Sequence, residues 1–184
     1  MNVYESCPVL TSPRFTLRLV TLADAPGLLT VYSDPDAQRC FNADNCTSDF
    51  CYTTLQQMED CIHMWLWSYA HGYFVRWTIL EGETPVGTVE MFRRDDADGG
   101  TGVLRLDLHS RLENEAALNE LLSAILPDMH RLFGCECILT KAAPEMAQRC
   151  TALMQQGFTR HPLPLIGEDG TAYPHYWAHR HKLG

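Results

Sequence analysis

Apolar and polar positions alternate strictly over Arg14–Val20, with Phe15, Leu17 and Leu19 opposed to Thr16, Arg18 and Val20, which predicts a strand with one buried face. Thr21 can cap a helix over roughly Ala23–Ser33 that turns Leu28, Leu29 and Tyr32 inward and stops before the turn-forming Ser33–Asp36. A loop rich in Asp and Asn follows. From Thr54 to Ala70 the period changes: Leu55, Met58, Ile62, Trp65 and Tyr69 fall at helical steps, and Gly72 marks the end. Tyr73–Leu80 and Pro85–Phe92 are β-branched and aromatic runs around a short "EGET" connection, the pattern of an antiparallel hairpin.

An acidic, glycine-rich loop, Arg94–Gly102, leads to a strand ending "VLRLDLH", with Leu104, Leu106 and Leu108 on one side and Arg105, Asp107 and His109 on a polar other side. Leu118, Leu121, Leu122 and Ile125 then form a helical stripe that Pro127 should kink or break and Gly134 should close. "CECILTK" reads as a short strand. Pro144 suits the first turn of a helix carrying Met146, Cys150, Leu153 and Met154, with Gly157 at its left-handed end. "GFTRH" and "AYPHYWAHR" read as two final strands. Strand, two helices, hairpin, strand, helix, strand, helix and two strands make a mixed α/β (α+β) fold, expected as one domain over residues 1–184.

Composition narrows the function. A net charge of -9 repels a phosphate backbone, and the 14 Lys and Arg are scattered, so no nucleic acid partner is expected. Acidity instead suits cationic ligands such as amines. The first residues lack a basic start and an apolar core, and nowhere do eighteen uncharged apolar residues run together, which predicts a cytoplasmic protein with no membrane span. The 8 cysteines then read as free thiols, and Cys135 and Cys137, one residue apart with no second close pair, do not match a structural zinc site. Metal is expected to be absent.

The element order, with "RFTLRLVTLADAPGLLTVYSDPDA" at the start, "PVGTVEM" in the hairpin and "ALMQQGF" near the end, resembles the GNAT acyltransferase fold. It is most similar to the branch of ribosomal-protein N-terminal acetyltransferase-like enzymes. The resemblance implies a central, mostly antiparallel twisted sheet of six to seven strands with about four helices, splayed between the fourth and fifth strands. It further implies acetyl-CoA as co-substrate, lying in the splay with its pyrophosphate on backbone N–H groups that open the third helix. A helix start offers unpaired donors and the positive end of a dipole. The corresponding positions are Arg111, Leu112, Glu113, Asn114, Glu115 and Ala116, where Asn114 replaces a glycine and tolerates left-handed backbone. Asn114 followed by acidic residues is equally a helix N-cap.

Besides Asn114, three further positions depart from the family pattern. Glu113 and Glu115 stand where basic residues are common, and Met146 stands at the usual asparagine. Like charges about 5 Å apart cost about 1 kcal/mol in water and several times that when partly desolvated. Leu153 occupies the place of a tyrosine that in some relatives protonates the leaving thiolate.

Under that resemblance an amine attacks the thioester directly, and the chain must supply a base. Glu90 on the hairpin, and Asp107 with His109 on the splayed strand, are the candidates, with the Leu108 backbone N–H as an oxyanion donor. Glu90 could instead face solvent, and Arg105 could simply pair with Asp107. Trp65, Trp67, Tyr69, Tyr73 and Trp77 are acceptor-pocket residues or core. His175, Trp177, His179 and His181 fall on one side of the last strand, where a metal or cation pocket competes with a half-exposed terminal strand. The expected activity is acetyl transfer to a small-molecule amine or a protein N-terminus. The rivals are a non-catalytic GNAT-fold module and, third, a thiol or metal sensor. A homodimer is compatible with the sequence, which fixes no oligomeric state.

Overall fold

The computed structural model describes residues 2–94 and 100–181. Residues 95–99 of the expected acidic loop lie outside them. The first strands are β1, Leu10–Thr11, and β2, Phe15–Leu19, followed by a 3-10 turn at Leu22–Asp24 and helix α1, Ala25–Tyr32. The Thr21 N–H donates to Asp24 Oδ2 at 2.8 Å, and Asp24 is clasped by Arg18 and Thr78, so the helix begins two residues later than its apolar pattern suggests. The expected turn at Ser33–Asp36 is partly a one-turn helix, α2, Pro35–Gln38, because Asp34 accepts from the Asp36 N–H and Pro35 presets the first helical φ. Helix α3, Leu55–Ala70, is capped by Thr54 and Gln57 reciprocally.

The hairpin strands are β3, Val75–Glu81, and β4, Thr84–Arg94, turning at Gly82 with φ +62. Then come β5, Thr101–Leu108, a 3-10 turn at Ser110–Leu112, helix α4, Glu115–Phe133, strand β6, Cys137–Lys141, and helix α5, Ala147–Gln155. Pro127 does not break α4. The apolar stripe on either side of it, Leu122, Ile125, Leu126 and Met129, is buried, and that packing outweighs one missing hydrogen bond. Pro144 lies before α5 rather than in its first turn, since Met146 is the N-cap.

The last segment is more broken than its pattern implies. Two-residue strands β7, Thr159–Arg160, β8, Leu165–Ile166, and β9, Ala172–Tyr173, precede β10, Tyr176–Arg180. His175, at φ +71, separates β9 from β10, so it does not share a strand face with Trp177 and His179.

Among the described residues eight strands form one sheet in the order β1-β2-β3-β4-β5-β6-β10-β7, antiparallel except for β5 with β6, and β8 pairs β9 in a small second sheet. The architecture is the one the resemblance implies, but among the described residues there are more strands than the six to seven expected and five helices instead of about four, and the extra first strand β1 makes the expected fourth and fifth strands β5 and β6. Helices α4 and α5 cover one face, where Val75, Trp77, Ile79, Val89, Met91, Leu104, Leu106 and Leu108 meet Leu118, Leu121, Leu122 and Ile125. Helices α1 and α3 cover the other. The opposite residues of β3, β4 and β5 are therefore polar yet buried: Arg76, Thr78, Thr88, Glu90, Arg105 and Asp107. The polar side of "VLRLDLH" faces an interior, because a second helical layer lies over it.

Candidate active site

Register builds the site. Arg76 sits across from Glu90, Glu90 across from Arg105, and Thr88 across from Asp107, so the charges alternate between neighbouring strands at cross-strand contact distance. Arg76 is 1% exposed and Glu90 2%. The Arg76 guanidinium donates to Glu90 Oε2, to Asp107 Oδ2 at 3.1 Å, to Thr88 Oγ1 at 2.9 Å and to the Tyr32 hydroxyl at 3.0 Å. It also stacks 4.1 Å over the Trp65 ring. Arg105 Nη1 donates to Glu90 Oε1 at 2.8 Å, and the Tyr32 hydroxyl donates to Asp107 Oδ2 at 2.9 Å. Two cations and two carboxylates make the cluster neutral overall, the condition under which buried charges are tolerated.

Glu90 thus does not face solvent. Burial pushes its carboxyl up, but Arg76 and Arg105 outweigh burial and hold it below the ordinary glutamate value. Asp107 pairs with Arg76 rather than with Arg105. The Asp107 Oδ1, Arg76 Nε, Arg105 Nε and Trp65 Nε1 atoms are buried without a hydrogen-bond partner among the described residues. His109 lies apart from this cluster. Its carboxylate neighbour is Asp34 at 3.3 Å from Nδ1, not Asp107, and its side chain is 33% exposed.

Strands β5 and β6 pair only from Thr101 with Cys137 to Leu104 with Thr140, and beyond that they part. The His109 N–H bonds to Val86 O of the β4 strand at 3.0 Å. By the alternation of an antiparallel ladder, the N–H groups of Leu106 and Leu108 then point away from β4, toward the opening. Gly87 makes the close approach of β4 and β5 there: a Cβ would stand 2.3 Å from the Asp107 carbonyl oxygen.

Segment Arg111–Ala116 lies beside the splay, but its side chains are used within the chain. Asn114 is extended, φ -135 and ψ 156, and its Oδ1 accepts the Ala117 N–H at 3.1 Å, so it is an N-cap rather than a left-handed residue in a glycine-type turn. Arg111 pairs with Glu81 at 2.6 Å. Leu112 is core. The Glu115 N–H donates to Gln148 at 3.2 Å, its carboxylate meets Gln155, and Ala116 is exposed. Glu113 is bound by Arg149, a 3% exposed residue of α5 whose Nη1 also donates to the Cys40 carbonyl at 3.1 Å. Met146 packs on the core with no polar group to offer.

On the α1–α3 side a cleft of about 430 Å³ reaches Glu90 and Arg105, with Phe50, Trp65, Tyr73, Phe74 and Phe92 on its walls. Trp65 and Tyr73 therefore line the cleft, whereas Trp77 is buried on the opposite face and Trp67 is exposed, stacked on His71. Asp44, beside the cleft, joins three strands' side chains: its carboxylate accepts from Lys141 Nζ at 2.5 Å and Tyr176 at 3.2 Å, and its carbonyl from Arg105 at 2.7 Å.

Sequence reasoning missed Arg76, Arg149 and Asp44. Arg76 was visible in principle, a lone charge inside "YFVRWTIL" opposite a lone charge inside "TVEMF". Arg149 left a fainter mark, a charge beside the apolar stripe of Met146, Cys150 and Leu153. Nothing local distinguishes Asp44 within its polar loop.

All eight cysteines are free thiols. Among the described residues, no His, Cys, Asp and Glu group could hold a metal, and no helix is long and apolar enough to cross a membrane.

Several solved structures share this fold. An acetyltransferase from Salmonella typhimurium that modifies the N-terminal serine of ribosomal protein L7/L12 superposes with TM-score 0.70 at 12% identity, over 95% of this chain and 100% of that one. RimJ of Mycobacterium smegmatis, in complex with CoA-disulfide, gives 0.72 at 15% identity, over 93% and 84%. The microcin C7 self-immunity acetyltransferase MccE, in complex with acetyl-CoA and AMP, gives 0.71 at 11% identity, over 92% and 93%. No curated protein matches significantly by sequence. The family model described as an acetyltransferase (GNAT) domain matches residues 14–159, and the chain belongs to that family.

Proposed function

We propose that the chain, acting as one domain, transfers an acetyl group from acetyl-CoA to an amine of a small molecule or a protein N-terminus. The observation that carries this reading is the parting of β5 and β6 after Leu104 and Thr140, with two backbone N–H groups turned into the opening, in a chain of the GNAT family. The donor set fits a diphosphate in kind: a buried guanidinium, Arg149, beside the capped start of α4. As the chain stands, Glu113 occupies that guanidinium.

Bound there, acetyl-CoA would supply an activated acyl thioester. The chain's own groups divide the remaining work. In this reading the Leu108 N–H stabilises the oxyanion. Glu90, ionised between two arginines at the end of an aromatic cleft, has both carboxylate oxygens taken up by those guanidinium groups and is a weak proton acceptor, so its part is to hold the floor of the cleft. Asp107 holds Arg76 and Tyr32 in place. In this reading His109, held by Asp34 and partly open to solvent outside the cluster, takes up the amine's proton through water.

The direct test is formation of an acetylated product and release of free thiol from acetyl-CoA, across small amines and peptides with free N-termini. Turnover above the no-enzyme rate with at least one acceptor is expected, and His109→Gln should lower kcat about 100-fold or more while leaving KM for the donor near its original value. A flat response across the panel, or a His109→Gln enzyme with unchanged kcat and pH profile, contradicts it.

A second reading, a non-catalytic module, is favoured by one specific observation, the Glu113–Arg149 pair at the mouth of the splay.

A further inference from the structure

Residues 39–46 run across the outside of the splay, fastened at both ends. Near one end, the Cys40 carbonyl accepts Arg149 Nη1 at 3.1 Å. Near the other, Asp44 is bound by Lys141, Tyr176 and Arg105, and between them Asn42 Nδ2 donates to the Tyr176 hydroxyl at 3.2 Å. Arg149 gives its other N–H groups to Glu113, with Nε 3.1 Å from Oε2. One guanidinium thus ties together the segment that opens α4, the first turn of α5 and the loop that continues into the wall of the cleft at Asn45, Cys46 and Ser48.

A cation buried this deeply needs a counter-charge, and removing Glu113 alone would leave it uncompensated. An anion with several oxygens can replace the carboxylate without that penalty, and guanidinium geometry suits phosphate as well as carboxylate. Access exists: a cavity of about 240 Å³ beside the pair is lined by Cys40, Glu113, Glu145, Met146, Gln148 and Arg149.

Resting on the acetyl-CoA reading above, we propose that Glu113, Arg149 and the Cys40 carbonyl form a latch. The donor's diphosphate displaces Glu113 from Arg149, and the reoriented guanidinium releases the Cys40 carbonyl. Residues 39–46 then loosen over the splay, and donor binding opens the side from which the amine approaches. Glu113 is a built-in competitor of the donor, and Arg149 is its receiving cation.

Two measurements test this. The first is calorimetric titration of acetyl-CoA at low salt into the wild-type chain, Glu113→Gln and Arg149→Gln. The latch predicts binding tightened about tenfold by Glu113→Gln and weakened at least about tenfold by Arg149→Gln, since each change alters one charge near the diphosphate. Equal affinity of wild type and either variant overturns the latch and leaves the donor reading intact; no binding to wild type or Glu113→Gln overturns both. The second measurement needs no variant: site-resolved alkylation of the half-buried Cys40 with and without saturating acetyl-CoA, which has no free thiol to consume the reagent. Alkylation several-fold faster in the bound state is expected. An unchanged or slower rate under saturation overturns the proposal.

Discussion

Replacing Glu90 by glutamine would leave Arg76 and Arg105 sharing one carboxylate fewer in a part of the protein where all three side chains are largely buried. Breaking a buried pair from one side destabilises by on the order of 3–5 kcal/mol, so urea unfolding of Glu90→Gln should show a loss of that size. Near-wild-type stability would mean that the cluster is not held together by its charges. The same arrangement sets an acid limit. Because Glu90 is held below its ordinary value, its stabilising effect is complete above the ordinary glutamate value of 4.5 and is lost as pH falls through the lower folded value. His130 acts earlier. Burial lowers its pKa from 6.5, the neighbouring His181 lowers it further, and the Cys135 carbonyl opposes only part of this. The unfolded chain therefore binds the proton more readily, and stability should begin to fall as pH drops below about 6.5. A His130→Gln chain should lose that part of the slope in unfolding measured between pH 7 and pH 5. Of these residues, Glu90 was legible in the sequence as a chemistry-bearing position, but its environment was not, because burial of the polar face depends on α1 and α3 arriving from elsewhere in the chain.

At the scale of elements, α4 and its lead-in bear most directly on function. Asn114 caps the helix from an extended backbone, so Asn114→Ala should cost about 1 kcal/mol, and Asn114→Gly should also lose stability, by a few tenths. A gain with glycine would indicate the left-handed turn that the resemblance implies and would contradict the cap. Periodicity located α3, α4 and the β3–β4 hairpin well, since each carries several turns or residue pairs of consistent signal. It failed where one strong packing face overrode a local rule, as at Pro127, and where elements are only two to four residues long, as with α2, β8 and β9. The cleft is walled in part by Asn45, Cys46, Thr47, Ser48 and Phe50 and by Glu168, loop positions that no periodicity marks, which is why it was the least readable part of the site.

For the whole molecule, the order of elements carried the family and the splay, while the state of the notch depended on long-range partners. Arg149 reaches Glu113 and Cys40, and Asp44 reaches Lys141, contacts that join positions 36, 109 and 97 residues apart. No local pattern encodes them. The proposed activity requires that this notch, although latched, still receive acetyl-CoA. Thermal unfolding at low salt, with and without acetyl-CoA and with adenosine as a control, tests it most directly. At a hundredfold excess over the dissociation constant, binding adds about 2.7 kcal/mol, which for a domain of this size raises Tm by several degrees. A rise of that kind, absent with adenosine, is the predicted result; an unmoved Tm at millimolar acetyl-CoA would contradict the claim and favour a GNAT fold that no longer takes the donor.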